Sequence, residues 1–162
     1  MRNIKPQSIG IVISTYNNPE WLEKTLWGYT LQTHNTFELI LADDGSGEDT
    51  RELIDKFRNK YFPNIKHIWH ADEGFRKCKI LNDAIVAAES EYLIFTDHDC
   101  IPRKDFIETH LRYAEKGYFL SGGYPKLTME TSKAITYEDI ISENAFDIKW
   151  LRQHGLKSSF KN

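Results

Sequence analysis

Short apolar runs alternate along this chain with longer segments in which apolar residues recur every three or four positions. The runs are rich in β-branched and aromatic residues, which favours strands. They span positions 8–14, 37–42, 65–69, 92–96 and 118–120. Between them, stripes such as Leu22, Leu26 and Tyr29 predict amphipathic helices. This order is typical of βαβ units, so it predicts an α/β protein with three layers, in which helices cover both faces of a mostly parallel sheet.

Several helix boundaries are marked in the sequence. Asn18 is a favoured N-cap residue, and Pro19 suits the first helical position. Asp49 is expected to cap a second helix in the same way, and a third is expected over 77–90. Pro102 is expected to open a fourth helix, because proline fits the first turn and not the interior.

The alternation of strands and helices stops near position 125. The stretch 137–154 predicts one or two further helices. We therefore divide the chain into a sheet-containing domain, residues 1–125, and a helical C-terminal extension, residues 126–162. A length of 162 residues with 40% hydrophobic and 28% charged residues is ordinary for a soluble globular protein.

Charge and hydropathy argue against two classes of protein. The formal net charge of -3 gives no positive field for nucleic acid. No run approaches the roughly 20 apolar residues of a membrane span, and the first residues lack the apolar core of a signal peptide. The cysteines number 2 and lack zinc-binding spacing, so reduced thiols are the simplest account. These features predict a cytoplasmic protein that does not bind nucleic acid.

Polar side chains gather directly after four successive predicted strands. They are Ser14, Thr15, Tyr16 and Asn17 after the first strand, Asp43 and Asp44 after the second, His70 to Arg76 after the third, and Asp97, His98 and Asp99 after the fourth. Each cluster alone has a plainer interpretation as caps, turns or a solvated helix start. In an open α/β sheet, however, ligands bind outside the carboxyl ends of the strands. The four clusters together therefore predict one binding site.

The Asp-x-Asp pair is the candidate metal site. It follows a strand that its apolar sequence predicts to be buried on both faces. In extended backbone Asp97 and Asp99 point the same way, while His98 faces away. Two carboxylates suit Mg²⁺ or Mn²⁺, especially when a diphosphate completes the shell. On these residues alone, a pair of solvated turn acids stays an equal alternative.

Several α/β classes carry motifs that this chain lacks. The first strand is followed by Ser-Thr-Tyr-Asn-Asn and not by the G-x-G-x-x-G of dinucleotide-binding domains, and the P-loop motif is absent. Response-regulator receivers and aspartyl-phosphate phosphatases place their acids after the first strand, whereas these follow the second and fourth. A sugar nucleotidyltransferase needs a glycine-rich signature after the first strand, and this chain has none there. What remains is a nucleotide held without a P-loop, with a metal ion on its diphosphate.

The motifs and their order resemble those of family 2 glycosyltransferases. The matching segments are Ile11 to Asn17, Leu31-Gln32-Thr33, Phe37 to Ser46, Gly74-Phe75-Arg76 with Leu81-Asn82 and Ala84, and Asp97-His98-Asp99. They cover residues 8–125 and match the N-terminal, donor-binding half of the family. Gly74-Phe75-Arg76 resembles, more narrowly, chondroitin-polymerase-like and other N-acetylhexosamine-transferring members. The resemblance implies a GT-A fold with a Rossmann-like nucleotide-binding core, and it makes 126–162 the start of a truncated acceptor-binding part.

The resemblance also implies roles for individual residues. Ser14, Tyr16 and Asp44 match positions that hold the uracil and ribose of a UDP-sugar, and Arg76 matches a basic residue near the diphosphate. Asp97 and Asp99 match the D-x-D motif of the metal site, with Asp99 as the direct ligand of Mn²⁺ or Mg²⁺ and Asp97 as a contact to the ribose or to a metal-bound water. The remaining residues expected in the nucleotide-sugar site are Thr15, Asn17, Asp43 and His98.

The function implied by this resemblance is an inverting, metal-dependent transfer of sugar from a nucleotide-diphospho-sugar, with UDP as the expected nucleotide, to a glycan or lipid-linked acceptor in polysaccharide biosynthesis. Inversion needs a general base, and the family's base lies well downstream of the D-x-D. Glu138 and Asp139 have the plainer interpretation of a solvated helix face, so no base is assigned. The alternative is a non-catalytic nucleotide-sugar-binding half-domain that needs a partner or a missing C-terminal part. A homo-oligomer and peripheral membrane association through a partner are further expectations.

Overall fold

A computed structural model describes residues 5–156 of the chain. These residues divide into two compact units, one up to Leu120 and one from Ser121 onward. In the first unit the elements are β1 (Ile9–Thr15), α1 (Pro19–Thr30), β2 (Glu38–Asp43), α2 (Glu48–Lys60), β3 (Lys66–Trp69), α3 (Lys77–Ala87), β4 (Tyr92–Asp97) and α4 (Phe106–Tyr113). The strands and helices alternate, as the sequence predicts.

The described strands form a single 4-stranded sheet in the order β3-β2-β1-β4. All three pairings are parallel. The last paired residues of β1 are Thr15 opposite Asp43 of β2 and Ser14 opposite Asp97 of β4. This register brings the carboxyl ends of three strands, and the polar residues that follow them, to the same edge of the sheet.

Helices cover both faces of the sheet, which confirms the three-layer α/β prediction. Alternate residues of a strand face opposite sides. One face of the central strand β1, including Ile11, packs with the buried residues of α1, α2 and α4. On the other face Val12 packs with Ile80 and Ala84 of α3. All seven residues of β1 are buried, so β1 lies within the core along its whole length.

Two predictions about strands are wrong. Tyr118, Phe119 and Leu120 form no strand and are exposed by 73%, 88% and 38%. A run of three apolar residues is too short to distinguish a strand from an exposed loop. The strand that carries the Asp-x-Asp motif, β4, is not buried on both faces, since it is the edge of the described sheet and Phe95 is 49% exposed.

Helix boundaries differ from the prediction by a few residues. Asn18 occupies the N-cap of α1 and Pro19 follows it, as expected, but the Asn18 side chain makes no capping hydrogen bond. Gly47 and not Asp49 is the N-cap of α2. Pro102 lies before α4, and its ring fills the space beside Gly28 of α1, where a Cβ would come within 2.6 Å of Pro102 Cδ.

The second unit is helical where it is described. It contains α5 (Met129–Ala134), α6 (Tyr137–Ile141), a 3-10 helix (Asn144–Phe146) and α7 (Ile148–Gln153). The sequence predicted one or two helices after position 137 and missed α5. Thr136 and Asp139 form a capping box on α6. No described helix has both the length and the apolar character that crossing a bilayer requires.

The packing of α1 against the sheet yields a stability prediction. Leu26 is 0% exposed within the main core. We expect Leu26→Ala to lower the free energy of unfolding by about 2–5 kcal/mol, since it removes buried methyl groups and leaves a cavity. Urea denaturation followed by circular dichroism measures the change. Val86→Ala is the control, because Val86 is 87% exposed and its truncation should cost less than about 0.5 kcal/mol. Equal losses for the two variants would contradict the packing described.

Candidate functional site

The end of β1 ties the polar loops of its two neighbours together. The backbone N–H of Asp44, after β2, donates to the carbonyl oxygen of Thr15 at 3.0 Å. The backbone N–H of His98, after β4, donates to the carbonyl oxygen of Ser14, also at 3.0 Å. Parallel pairing thus continues one residue beyond each neighbouring strand. It fixes the position of both acidic loops relative to the end of β1.

Asp44 is held by hydrogen bonds to both of its carboxylate oxygens. His70 Nε2 lies 2.7 Å from Oδ1, and the backbone N–H of Arg76 donates to Oδ2 at 2.9 Å. The side chain of Asp44 is 7% exposed and that of His70 is 13% exposed. The structure therefore joins Asp44 and Arg76, which the sequence placed in the same predicted site, through the backbone of Arg76.

Asp43 points into the protein. Its carboxylate accepts from the backbone N–H of Ser46 at 2.8 Å and lies 2.8 Å from His67 Nε2. The residue is 1% exposed. Burial raises the pKa of Asp43, but the hydrogen bonds from His67 and Ser46 lower it by more, so its pKa lies below the ordinary value. Its position suits a support for the loop after β2, and a direct contact with a nucleotide stays a prediction.

Gly45 lets this loop approach the connection after β3. Its φ is +99°, and a Cβ at this position would lie 2.6 Å from Asp72 Cα. Both the left-handed backbone and the close approach require glycine. Asn17, with φ of 44°, closes the same loop from the β1 side. Its side-chain oxygen accepts from Gly47 N at 2.9 Å, and its own N–H donates to Ser46 Oγ.

Asp97 is engaged by Ser14 and Lys77. Ser14 Oγ donates to Asp97 Oδ1 at 2.5 Å, and the ammonium of Lys77, the first residue of α3, pairs with the same oxygen. Partial burial raises the pKa of Asp97, but the hydrogen bonds from Lys77 and Ser14 lower it by more, so the pKa is depressed. Ser14 and Asp97, which the sequence placed in the same predicted site, are thus in contact, with Lys77 as an additional partner.

The second acid of the Asp-x-Asp pair lies in a turn. β4 ends at Asp97, and His98 and Asp99 form the turn that follows, so the extended-backbone argument does not apply to Asp99. His98 anchors the turn, because its carbonyl oxygen accepts from Thr25 Oγ1 at 2.7 Å. Asp99 is exposed, and the contact shown for its carboxylate is with Cys100 Sγ at 3.6 Å.

Tyr16 and Arg76 border the site from the β1 and α3 sides. Tyr16 is 46% exposed, and its hydroxyl donates to Asp72 at 2.8 Å, a hydrogen bond that raises the pKa of the phenol. The guanidinium of Arg76 donates to the carbonyl of Ala71 at 2.9 Å and pairs with Glu73 at 2.6 Å. Both side chains are thus fastened to the connection between β3 and α3.

The acids at this edge suit a hard divalent cation that also binds a ligand. Mg²⁺ and Mn²⁺ take oxygen donors and keep open positions for phosphate and water. Within residues 5–156 no cluster of three or more His, Cys, Asp or Glu side chains is arranged to hold a metal ion. A cation here would therefore take one or two carboxylate oxygens from Asp97 and Asp99 and complete its shell elsewhere.

Asp139, the second of two adjacent acids in the second unit, is used locally. Asp139 accepts from the backbone N–H of Thr136 at 3.0 Å, as part of the capping box. Partial burial raises its pKa, and hydrogen bonds from Thr136 and Asn144 lower it by more. This geometry agrees with the interpretation of Glu138 and Asp139 as helix residues.

Sequence reasoning missed His67 and Lys77 at this edge. It included His70 and Asp72 only as part of the polar stretch His70 to Arg76 and assigned neither of them a role. His67 gave no signal in the sequence because it lies within a strand. Its ring pairs with a residue of the neighbouring strand. Lys77 could have been predicted as a site residue, because it follows Arg76 and begins the helix that precedes the Asp-x-Asp strand in the chain.

Solved structures place this fold among the GT-A glycosyltransferases. The chain is similar to TarS from S. aureus in complex with UDP-GlcNAc, with a TM-score of 0.57 and 26% identity over 64% of this chain and 30% of that one. It also shares the fold of the mannosyltransferase PcManGT from Pyrobaculum calidifontis, solved with GDP-Man and Mn²⁺ (TM-score 0.53, 23% identity, 63% of this chain and 30% of that one).

The family follows from the sequence comparison. The model of glycosyl transferase family 2 matches residues 10–155, and the chain belongs to this family. It is 31% identical to chondroitin synthase from Escherichia coli over 140 residues, 85% of this chain and 20% of that protein. It is 30% identical to hyaluronan synthase from Pasteurella multocida over 113 residues, 67% of this chain and 11% of that protein. The chain thus spans between a tenth and a fifth of these relatives.

The buried Asp43 yields a prediction about pH. Its folded pKa lies below the ordinary value, so its interactions stabilise the fold above the unfolded pKa of about 3.9. This stability is lost as the pH falls through the lower folded pKa. We expect Asp43→Asn to lower the free energy of unfolding by about 1–3 kcal/mol at pH 7, and we expect the difference from wild type to shrink below about pH 4.

Urea denaturation between pH 3 and pH 7 measures this difference. Asp83→Asn is the control, because Asp83 pairs with Lys79 at 2.8 Å on the surface of α3 and an exposed pair contributes less than about 1 kcal/mol. A deficit in Asp43→Asn that grows toward low pH would show that the pKa of Asp43 is raised and not lowered.

Proposed function

We propose that this chain is the nucleotide-sugar-binding part of an inverting, metal-dependent glycosyltransferase that uses a UDP-sugar and passes the sugar to a glycan or other acceptor. The observation that carries the proposal is the convergence of Ser14, Asp44 and Asp97 on the end of β1. Family membership supports it, as does the similarity to TarS, which was solved with UDP-GlcNAc.

The base and ribose would be held on the β2 side of the site. Tyr16 is sufficiently exposed to stack on a base, and Asp44 is acceptor-only, which suits a base N–H or a ribose hydroxyl. Ser14, with its backbone carbonyl already used by His98, would act through its contact with Asp97. Thr15 and His98 support the loops through their backbones, and Asn17 does so through its backbone N–H and its side-chain oxygen. Direct contact of these residues with the donor stays a prediction.

The diphosphate would lie toward α3 and β4. Lys77 pairs with Asp97 at the end of β4, and Arg76 directly precedes Lys77. A guanidinium or ammonium makes charge-assisted hydrogen bonds to phosphate. Asp99, with Asp97 beside it, would hold Mn²⁺ or Mg²⁺, which offsets the negative charge that the leaving diphosphate gains. Direct displacement with inversion needs a general base on the acceptor, and none is assigned in this chain.

A second function stays open because the chain spans only 20% of chondroitin synthase. It would bind the nucleotide sugar without transferring it, and a partner or further chain would supply the acceptor side. An assay for transfer from UDP-GlcNAc to short glycans by this chain distinguishes the two functions. Free thiols at Cys78 and Cys100 support a cytoplasmic location, and the oligomeric state and any membrane association stay predictions.

Asp44 gives the first test of nucleotide binding. We expect Asp44→Asn to weaken UDP binding by about 10- to 100-fold, because a hydrogen bond to a charged acceptor is worth about 1.5–3 kcal/mol. Isothermal titration calorimetry with UDP, with and without Mn²⁺, measures the affinity. Asp83→Asn serves as the control on the outer face of α3. UDP affinity that is the same in Asp44→Asn and wild type would refute this placement of the base.

Asp99 gives the test of metal dependence. We expect Mn²⁺ to tighten UDP binding to the wild-type chain, and we expect Asp99→Asn to reduce that gain by about 10- to 100-fold, the range for residues that support a bound metal. UDP binding without metal should change little in the same variant. If Mn²⁺ has no effect on the wild-type chain, the metal-dependent part of the proposal fails while nucleotide binding stands.

A further inference from the structure

His70 holds the Asp44 carboxylate from the side of the sheet where β3 ends. Its Nε2 lies 2.7 Å from Asp44 Oδ1, and both side chains are largely buried. An aspartate carboxylate accepts hydrogen bonds and donates none, so the proton in this contact belongs to His70 Nε2. The ring is thereby fixed in the form that carries hydrogen on Nε2.

The second oxygen of Asp44 is fixed by a donor that cannot rotate away. The backbone N–H of Arg76, at the start of α3, donates to Oδ2 at 2.9 Å. With one donor on each oxygen, the plane of the carboxylate is set, and the lone pairs that remain can only accept. A base or a sugar that contacts this carboxylate must therefore bring an N–H or O–H to it.

The surroundings keep the His70 ring in place. Trp69 Nε1, on the preceding residue, donates to the carbonyl of Ser46 at 3.0 Å, and the close approach of Gly45 to Asp72 joins the same two segments. His70 Nδ1 is buried and has no hydrogen-bond partner in the part of the chain that the structure describes. The histidine thus makes its side-chain hydrogen bond to Asp44 alone among these residues.

The neighbouring pair, His67 with Asp43, has the same chemistry in a different place. The nitrogen–oxygen distance is 2.8 Å, but Asp43 is 1% exposed and also receives the Ser46 N–H. That pair is buried beneath the loop. We therefore infer that the His67–Asp43 pair holds the fold, whereas the His70–Asp44 pair presents a carboxylate to a ligand.

We propose that His70 is a positioning residue, which keeps Asp44 oriented as a pure acceptor and so makes the site select uracil over cytosine. Uracil presents an N–H at N3, whereas cytosine presents a lone pair there, and a fixed acceptor accepts from the first and repels the second. Without the His70 donor, the carboxylate can turn and accept from the cytosine N4 amine. The inference rests on the proposed function, in which Asp44 contacts the base.

The test compares two substitutions of His70 by calorimetry with UDP, CDP and pyrophosphate. His70→Leu has similar volume and no donor, while His70→Gln places an amide N–H near the position of Nε2. We expect His70→Leu to lower the ratio of UDP to CDP affinity by about tenfold, the value of one charge-assisted hydrogen bond. His70→Gln should keep the ratio within about threefold of wild type. Pyrophosphate binding should be the same in all.

His67→Leu is the matched control, because it removes the equivalent donor from Asp43. We expect it to lower the thermal midpoint and to leave the UDP to CDP ratio unchanged. A ratio that stays at the wild-type value in His70→Leu, or that falls equally in His70→Gln, overturns the inference. A wild-type chain that binds pyrophosphate but prefers neither nucleotide overturns it as well, and one that does not bind UDP at all overturns the proposed function with it.

Nitrogen-15 NMR of the wild-type chain gives a readout that does not depend on the folding of any variant. Long-range proton–nitrogen correlations distinguish the two ring nitrogens of His70 and show which one carries hydrogen. We expect hydrogen on Nε2. A spectrum in which Nε2 is unprotonated would remove the donor from the contact with Asp44, and with it the basis of the inference.

Discussion

The parallel pairing of β1 with β2 on one side and β4 on the other is the constraint on which the site depends. It brings Thr15 opposite Asp43 and Ser14 opposite Asp97. Because the pairing extends through the backbone N–H groups of Asp44 and His98, the loops after β2 and β4 have little freedom relative to each other. The apolar burial of β1 on both faces stabilises this arrangement. The same strand therefore forms part of the core and positions the site.

Acidic side chains collected at one edge repel one another unless each has a partner. Asp43, Asp44 and Asp97 pair with His67, His70 and Lys77, respectively. These partners come from β3, from the connection after it and from the start of α3. The third strand and the third helix thus hold the acids of the second and fourth strands in defined orientations. Asp99, whose described contact is a thiol, is the acid at which we propose a cation.

Much of this architecture could be predicted from the sequence, and the misses have physical causes. The βαβ alternation and the convergence of polar loops follow from patterning, which is local. Whether β4 is a central or an edge strand depends on what lies beyond it, and Leu93-Ile94-Phe95 is equally apolar in either position. The pairing of His67 and His70 with acids some two dozen positions earlier depends on the register between β2 and β3, which local sequence patterns do not determine. Tyr118 to Leu120 has strand-like composition, but composition alone supplies no neighbouring strand.

The exposure of the acidic side chains increases from one end of the site to the other. Asp43 and Asp44 are 1% and 5% exposed, whereas the side chain of Asp97 is 52% exposed. Reorienting a buried, hydrogen-bonded carboxylate costs far more than breaking a surface ion pair, which is worth about 0–1 kcal/mol. The end proposed to hold the base is therefore rigid. At the other end, Lys77 and Arg76 can exchange Asp97 and Glu73 for phosphate oxygens at little cost. A rigid end suits discrimination between bases, and an adjustable end suits a diphosphate whose charge changes during transfer.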